Sequence, residues 1–308
     1  MPVDLVPALL TDSWHAMGSQ VDLTMLDGPP SALAVGRRLL DGLERAWSRF
    51  REDSEISRLN RAQGAWVSIR PATRTLLLLM QEGHDASRGI FDPTVLAAVA
   101  TVGYDHSVSW PGPGEPMPHL GGRDAWTGVP GLASLEVEGG RARIGAGVGV
   151  DSGACGKGLA ADMVAEAMCR AGAGGVLVSV GGDISARGAM PDERGWGVHV
   201  TGPGDRVLAL LAFSGGGVAT SATWRRRWRR SDGTTAHHVI DPRTGRPSSG
   251  VVVQATVMAA TAAWAEVMAT TVLVGGNDAA AEASALPAVV VEQSGRIRLQ
   301  GGIEQWMR

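Results

Sequence analysis

The stretch that most constrains the fold lies near the middle of the chain. VDSGACGKGLAADMVAEAMCRAG (Val150 to Gly172) opens with closely spaced glycines and continues as a helix that stops at Gly172. GGVLVSVGGD (Gly174 to Asp183) follows at once, an apolar run that reads as a buried strand ending in a Gly-Gly turn. A ligand-sized turn, a helix and a buried strand in such close succession exclude an all-α or all-β chain. The rest of the sequence alternates strands and helices without strict βαβ regularity, so the predicted class is α+β or mixed α/β. We expect one domain over residues 1–308, since 308 residues give ample chain for a core.

Residues 12–26 read as extended, with Ser19 leading into the alternation Val21, Leu23, Met25 and the turn DGPP. Helical spacing of Leu33, Leu39, Leu40, Leu43 and Trp47 predicts a helix from Ser31 to about Phe50. The polar run 48–64 reads as a loop plus a short helix, and Pro71 opens a second helix reaching about Arg88. In GIFDPTV (Gly89 to Val95), Pro93 makes Asp92 extended. Residues 103–131, rich in Pro and Gly, read as a long excursion, a lid or an inter-lobe crossing. Hairpins are predicted at Gly139–Gly140 and Ser294–Gly295.

The late segment 224–270 carries the densest chemistry. If 261–274 is helical, Glu266 and Thr270 share one face and offer two oxygens to a hard cation. Taken alone, a solvated helix face explains the pair better. HHVIDPRTG (His237 to Gly245) reads as extended; alternation sets His238 and Ile240 on one face and His237, Val239 and Asp241 on the other. A histidine near its ordinary pKa suits proton removal at neutral pH. WRRRWRR (Trp224 to Arg230) interleaves bases with aromatics as single-strand nucleic-acid binders do. The net charge of −3 opposes that reading. A solvated hairpin face ranks first, a patch for an acidic partner or a pyrophosphate second, and nucleic acid last.

Five strings together, MGS (Met17 to Ser19), SRFREDSEISRLN (Ser48 to Asn60), GIFDPTV, DSGACGKG (Asp151 to Gly158) and HHVIDPRTG with AWAEVMAT (Ala263 to Thr270), resemble the ApbE family of FAD:protein FMN transferases. Gly181–Asp183 and Ala219–Ser221 match two further family strings. The resemblance implies a two-lobed α+β architecture related to the tunnelling fold, with FAD in a groove between lobes. It implies transfer of the FMN half of FAD to a Thr or Ser hydroxyl of an acceptor protein, with AMP leaving and Mg²⁺ required. Implied FAD-binding positions are Met17, Phe50, Ile90, Phe91, Asp92, Asp151, Lys157, His238 and Val239. His238 and Lys157 are the implied catalytic residues. The implied metal ligands are the Ala154 carbonyl, Glu266 and Thr270. Glu266 stands where Asp is commoner, and its extra methylene moves the carboxylate by about 1 Å, which matters for octahedral Mg²⁺. Phe50 stands where relatives often have a stacking Tyr, and keeps the ring without the hydroxyl. Two other readings keep the same site: an FAD pyrophosphatase releasing FMN and AMP, and a flavin carrier without turnover.

The two cysteines make no disulfide framework, and Cys155 reads as a small buried hydrophobe. No leader, lipidated Cys or spanning segment is visible, so a cytoplasmic chain acting on a protein acceptor, with no nucleic acid, is expected.

Overall fold

The computed structural model describes residues 9–108, 117–120, 131–276 and 281–308. Its centre is an eight-stranded sheet in which every neighbouring pair is antiparallel. The strands are Leu9–Ala16, Ser19–Leu26, Gly175–Val180, Asp183–Gly188, Gly216–Ala222, Val252–Ala259, Ala288–Glu292 and Ile297–Gln300, and they lie side by side in chain order. Every α-helix and side hairpin among the described residues is therefore an insertion between adjacent strands. That is why the sequence alternates helix and strand yet lacks the βαβ pattern of a parallel sheet.

One face of the sheet carries the helices Ser31–Trp47, Gly156–Arg170 and Ala262–Gly275, whose apolar side chains join the largest core cluster. The other face is covered by the hairpin Trp196–Thr201/Val207–Phe213, which packs Trp196, Leu211 and Phe213 against Val218, Met258 and Val289. Strand alternation separates the two layers: Val176 and Val178 face the helices, while Leu177 packs on the hairpin side. A third cluster joins Val99, Val102 and Tyr104 to Trp228 and Ile240.

Several boundaries differ from the expected ones. Residues 12–26 are not one strand but most of a two-stranded hairpin that reverses at Met17–Gly18, with φ of 51° and 64°. Two consecutive left-handed residues make the turn that suits strand twist, yet the first is Met where Asn or Asp is usual. The first helix ends at Trp47 rather than Phe50, because Ser48 is extended. Of the expected excursion, residues 109–116 and 121–130 lie outside the described residues, while Pro118 and Leu120 exchange backbone hydrogen bonds with Arg229. In the expected short helix 278–285, Ala281–Ala285 is described and is helical. No helix among the described residues is long and apolar enough to cross a membrane.

The helix Ala262–Gly275 is buried on all sides, with every residue except Trp264 and Thr270 out of solvent. Its N-terminus is satisfied by two neighbours: Thr261 accepts from Trp264 N, and the Asp162 carboxylate accepts from Ala262 N and Ala263 N at 3.1 and 2.9 Å. The facing helix approaches so closely that a Cβ on Gly158 would lie 2.4 Å from the Ala262 carbonyl oxygen. Gly158→Ala is therefore expected to cost about 1–3 kcal/mol of stability despite alanine's better helix propensity. Urea unfolding checks this, and an unchanged midpoint would disprove the close-approach account.

Candidate active site

The sheet ends its hairpins on one side, and the site collects there. The Gly181 N–H donates to the Gln20 carbonyl at 2.8 Å, which sets the Gly-Gly turn beside the Met17–Gly18 turn. Gly181 has φ 65°, and a side chain there would press on Ser19 and Lys157. The Met17 N–H is taken by the Glu44 carboxylate at 2.8 Å, so the first helix holds the strained turn in place.

The motif strings are tied to each other by hydrogen bonds. Asn60 exchanges a reciprocal pair with the Val150 backbone at 2.8 and 2.9 Å, and the Ser152 hydroxyl donates to the Trp47 carbonyl at 2.7 Å. The Asp151 N–H donates to the Pro93 carbonyl at 2.8 Å. The segments around residues 47–60, 93 and 150–152 are thus held together by bonds to one another's backbone.

The result is a cavity of about 1330 Å³ lined by all the residues singled out in the sequence: Met17, Phe50, Ile90, Phe91, Asp92, Asp151, Ala154, Lys157, His238, Val239, Glu266 and Thr270. Several carry structural duties as well. Phe91 is fully buried in the core, and Asp92 accepts from Thr94 N and Oγ1 at 2.7 and 2.6 Å, bracing the turn after it. Asp151 caps Gly153 and pairs with Arg49 at 3.2 Å. Phe50 remains 37% exposed at the cavity edge, 5.5 Å from the Tyr104 ring, with the Arg49 guanidinium over both rings.

The charged centre is a triad that the sequence did not reveal in full. Lys157 forms an ion pair with Asp183 at 2.7 Å and donates to the Glu266 carboxylate, and the other Glu266 oxygen accepts from Gly158 N at 2.8 Å. Both carboxylates are almost wholly buried. The solvated-face reading of Glu266 is thereby excluded. Burial, reinforced by Asp183, pushes the Glu266 pKa up to about 8, against the pull of Lys157. Burial alone would lower the Lys157 pKa, but Asp183 and Glu266 overcome this and hold the ammonium charged. Thr270 lies one turn below Glu266, as its spacing required, and its hydroxyl is 2.9 Å from that of Ser221. Cys155 is fully buried and its thiol pKa is raised by desolvation, in keeping with an inert apolar role.

The alternation predicted for HHVID fails. The strand Thr235–His237 ends before His238, and the short strand Ile240–Asp241 begins after Val239, so His238, Val239 and Ile240 all line the cavity. His237 turns away and interacts with the Ser248 carbonyl through Nε2 at 3.0 Å. Asp241 fixes the turn, accepting from the Arg243, Thr244 and Gly245 N–H groups. Burial, then the nearby Arg226, His237 and Lys157 charges, hold the His238 pKa well below its ordinary value. Its Nδ1 has no hydrogen-bond partner among the described residues.

His237 gives a pH test. Burial lowers its pKa from 6.5 to about 4. Between those values the unfolded chain binds a proton that the folded chain refuses, so this residue's contribution to stability falls as pH falls through the window. Relative to His237→Gln, the native chain should lose about 2 kcal/mol between roughly pH 7.5 and 4.5. A pH-independent difference in urea midpoints would refute it.

The missed residues are Asp183, Arg226, Ser221 and Arg49. Asp183, Ser221 and Arg49 fell inside family strings without a role of their own, and Arg226 inside WRRRWRR, where a pyrophosphate patch was the second-ranked reading.

The ApbE family model matches residues 17–291. The FAD:protein FMN transferase of Salmonella typhimurium is 40% identical over 136 residues, which cover 43% of this chain and 39% of that protein's length. The FAD:protein FMN transferase of Vibrio cholerae is 28% identical over 267 residues, 82% of this chain and 77% of that protein. In fold, the chain is similar to an ApbE protein from Thermotoga maritima, with a TM-score of 0.83, 22% identity and coverage of 98% and 100% of the two chains. It is similar also to the apo flavinyl transferase ApbE of Pseudomonas stutzeri, with a TM-score of 0.81, 21% identity and coverage of 99% and 98%. With the family model spanning nearly the whole sequence and the fold shared end to end, the chain belongs to the ApbE family.

Proposed function

We propose that this protein takes FAD and transfers its FMN moiety, through a phosphoester bond, to a Thr or Ser hydroxyl of an acceptor protein. The observation that carries this reading is the convergence of all twelve expected residues on one cavity. Relatives named FAD:protein FMN transferase support it.

In the reaction, the acceptor hydroxyl oxygen attacks the phosphorus on the FMN side of the pyrophosphate. The bond from that phosphorus to the bridging oxygen breaks, and AMP leaves. His238, uncharged at neutral pH, receives the hydroxyl proton. Lys157 stays charged beside the reacting groups and offsets negative charge on the phosphates. Phe50, with the Arg49–Tyr104 stack behind it, offers a face for the isoalloxazine.

The donor set fits a hard dication. The Glu266 carboxyl and the Thr270 and Ser221 hydroxyls gather hard oxygen donors on one side of the cavity, and a dication there would offset the burial that raises the Glu266 pKa. Among the described residues no three His, Cys, Asp or Glu side chains form a metal cluster, and the expected set needs only one carboxylate. Glu266, Thr270 and the Ala154 carbonyl would hold Mg²⁺, which when bound stabilises charge developing on the phosphate oxygens.

The experiment is mass spectrometry of a Thr-containing acceptor peptide incubated with the protein, FAD and Mg²⁺. Expected is a mass gain of one FMN-phosphoryl unit on the Thr, abolished by chelation of the metal. Free FMN and AMP with unmodified peptide would mean a pyrophosphatase, and intact bound FAD a carrier.

A further inference from the structure

One arginine of the WRRRWRR run is built differently from its neighbours. Arg225 lies over the Trp224 ring and donates to Thr201, and Arg230 pairs with Asp232 at 3.5 Å. Trp228 is not on a solvated face at all: it is fully buried, with its indole N–H on the Val102 carbonyl. Arg226 sits between these, half-buried, in the cavity wall. Its Nη2 spans the site to the opposite turn, donating to Ser19 Oγ at 2.7 Å and to the Gly18 carbonyl at 3.3 Å.

Two features of this placement are costly. The Arg226 backbone has φ of 30°, in the left-handed range that a side chain with a Cβ disfavours. The guanidinium also has no carboxylate partner among the described residues, although it lies near enough to Lys157 and His238 to oppose their protonation. Lys157 is neutralised by Asp183 and Glu266; Arg226 is not. An unpaired, half-buried cation held in a strained conformation beside another cation is relieved when an anion enters. Among the described residues only Nη2 is engaged, and the planar guanidinium fork of Nε and Nη1 matches phosphate oxygens.

We propose that Arg226 is a phosphate-binding residue that takes the FMN-side phosphate of FAD, bridging the arginine hairpin to the Met17–Ser19 turn across the bound nucleotide. The assignment rests on the flavin-transfer reading and adds a binding residue to it. Because His238 and Arg226 are neighbours, the phosphate held by Arg226 is the one whose phosphorus is attacked. Arg226 thus separates ligands with that phosphate from ligands without it.

The test is binding of FAD, FMN and riboflavin, followed by flavin fluorescence, to the native chain, Arg226→Gln and Arg226→Gly. Glycine removes the guanidinium while relieving the left-handed backbone, so it guards against a folding defect in the glutamine variant. Loss of a charge-assisted phosphate contact should weaken FAD and FMN by roughly 10- to 100-fold in both variants and leave riboflavin within about 2-fold. A role confined to bracing the turn would weaken all three ligands alike and would overturn the assignment. Unchanged FMN affinity would overturn it too, with flavin transfer left standing. A native chain that binds none of the three would end the transfer reading and this assignment together.

Discussion

Replacing His238 with alanine is expected to lower kcat/KM for transfer to a Thr peptide by about 10²- to 10⁴-fold, with FAD still bound. His238 lines the cavity, and burial with three nearby cationic or titratable side chains keeps its ring unprotonated at neutral pH. An unprotonated imidazole is the form able to accept the hydroxyl proton. When a pyrophosphate enters, its negative charge offsets Lys157 and Arg226, so the ring becomes a stronger base at the moment it is needed. Alanine removes the acceptor and leaves the phosphate-binding groups in place. The measurement is the rate of mass gain on the peptide beside an FAD titration of the same variant. Transfer within about 3-fold of native would eliminate His238 as the base.

The second large effect concerns the triad. Lys157→Met should lower stability by about 3–5 kcal/mol near pH 8, because it leaves Asp183 and Glu266 buried together without a counter-charge. The sign with pH is distinctive. The Glu266 pKa already stands at about 8 with Lys157 present, and losing the ammonium can only raise it. A carboxyl whose folded pKa exceeds its unfolded value destabilises the fold at high pH, and that penalty fades as falling pH protonates it. Below about pH 8 Glu266 is protonated in both folded proteins, so the difference between native and variant should stay level there and widen as pH rises above 8. Urea unfolding at several pH values reads it directly. A deficit that stays constant above pH 8 as well would mean Lys157 contributes packing rather than charge. Transfer activity should also fall, since the same ammonium faces the phosphates.

What could be read from the residues depended on range. Glu266 and Thr270 share a face because helical geometry is local, and four residues suffice to specify it. The helix starting at Pro71 and the hairpin at Gly139–Gly140 were legible for the same reason. The turn at Met17–Gly18 was not, because a left-handed Met has no favourable local signature; Glu44 on another element stabilises it. Nor was the burial of the Glu266 helix, since its apolar run fits a one-sided helix as well as an enclosed one.

By itself, then, the order of residues determined the mixed α/β class, most element boundaries to within a few residues, and the motif strings that mark the ApbE family. The tertiary structure alone decided which charges meet. Asp183 and Lys157 are separated in sequence and joined by a 2.7 Å contact, and Arg226 reaches Ser19 from 207 positions away. Local propensity acts over a few bonds, whereas the partner of a buried charge is selected by how sheet and helices pack, and no short window of sequence contains that choice.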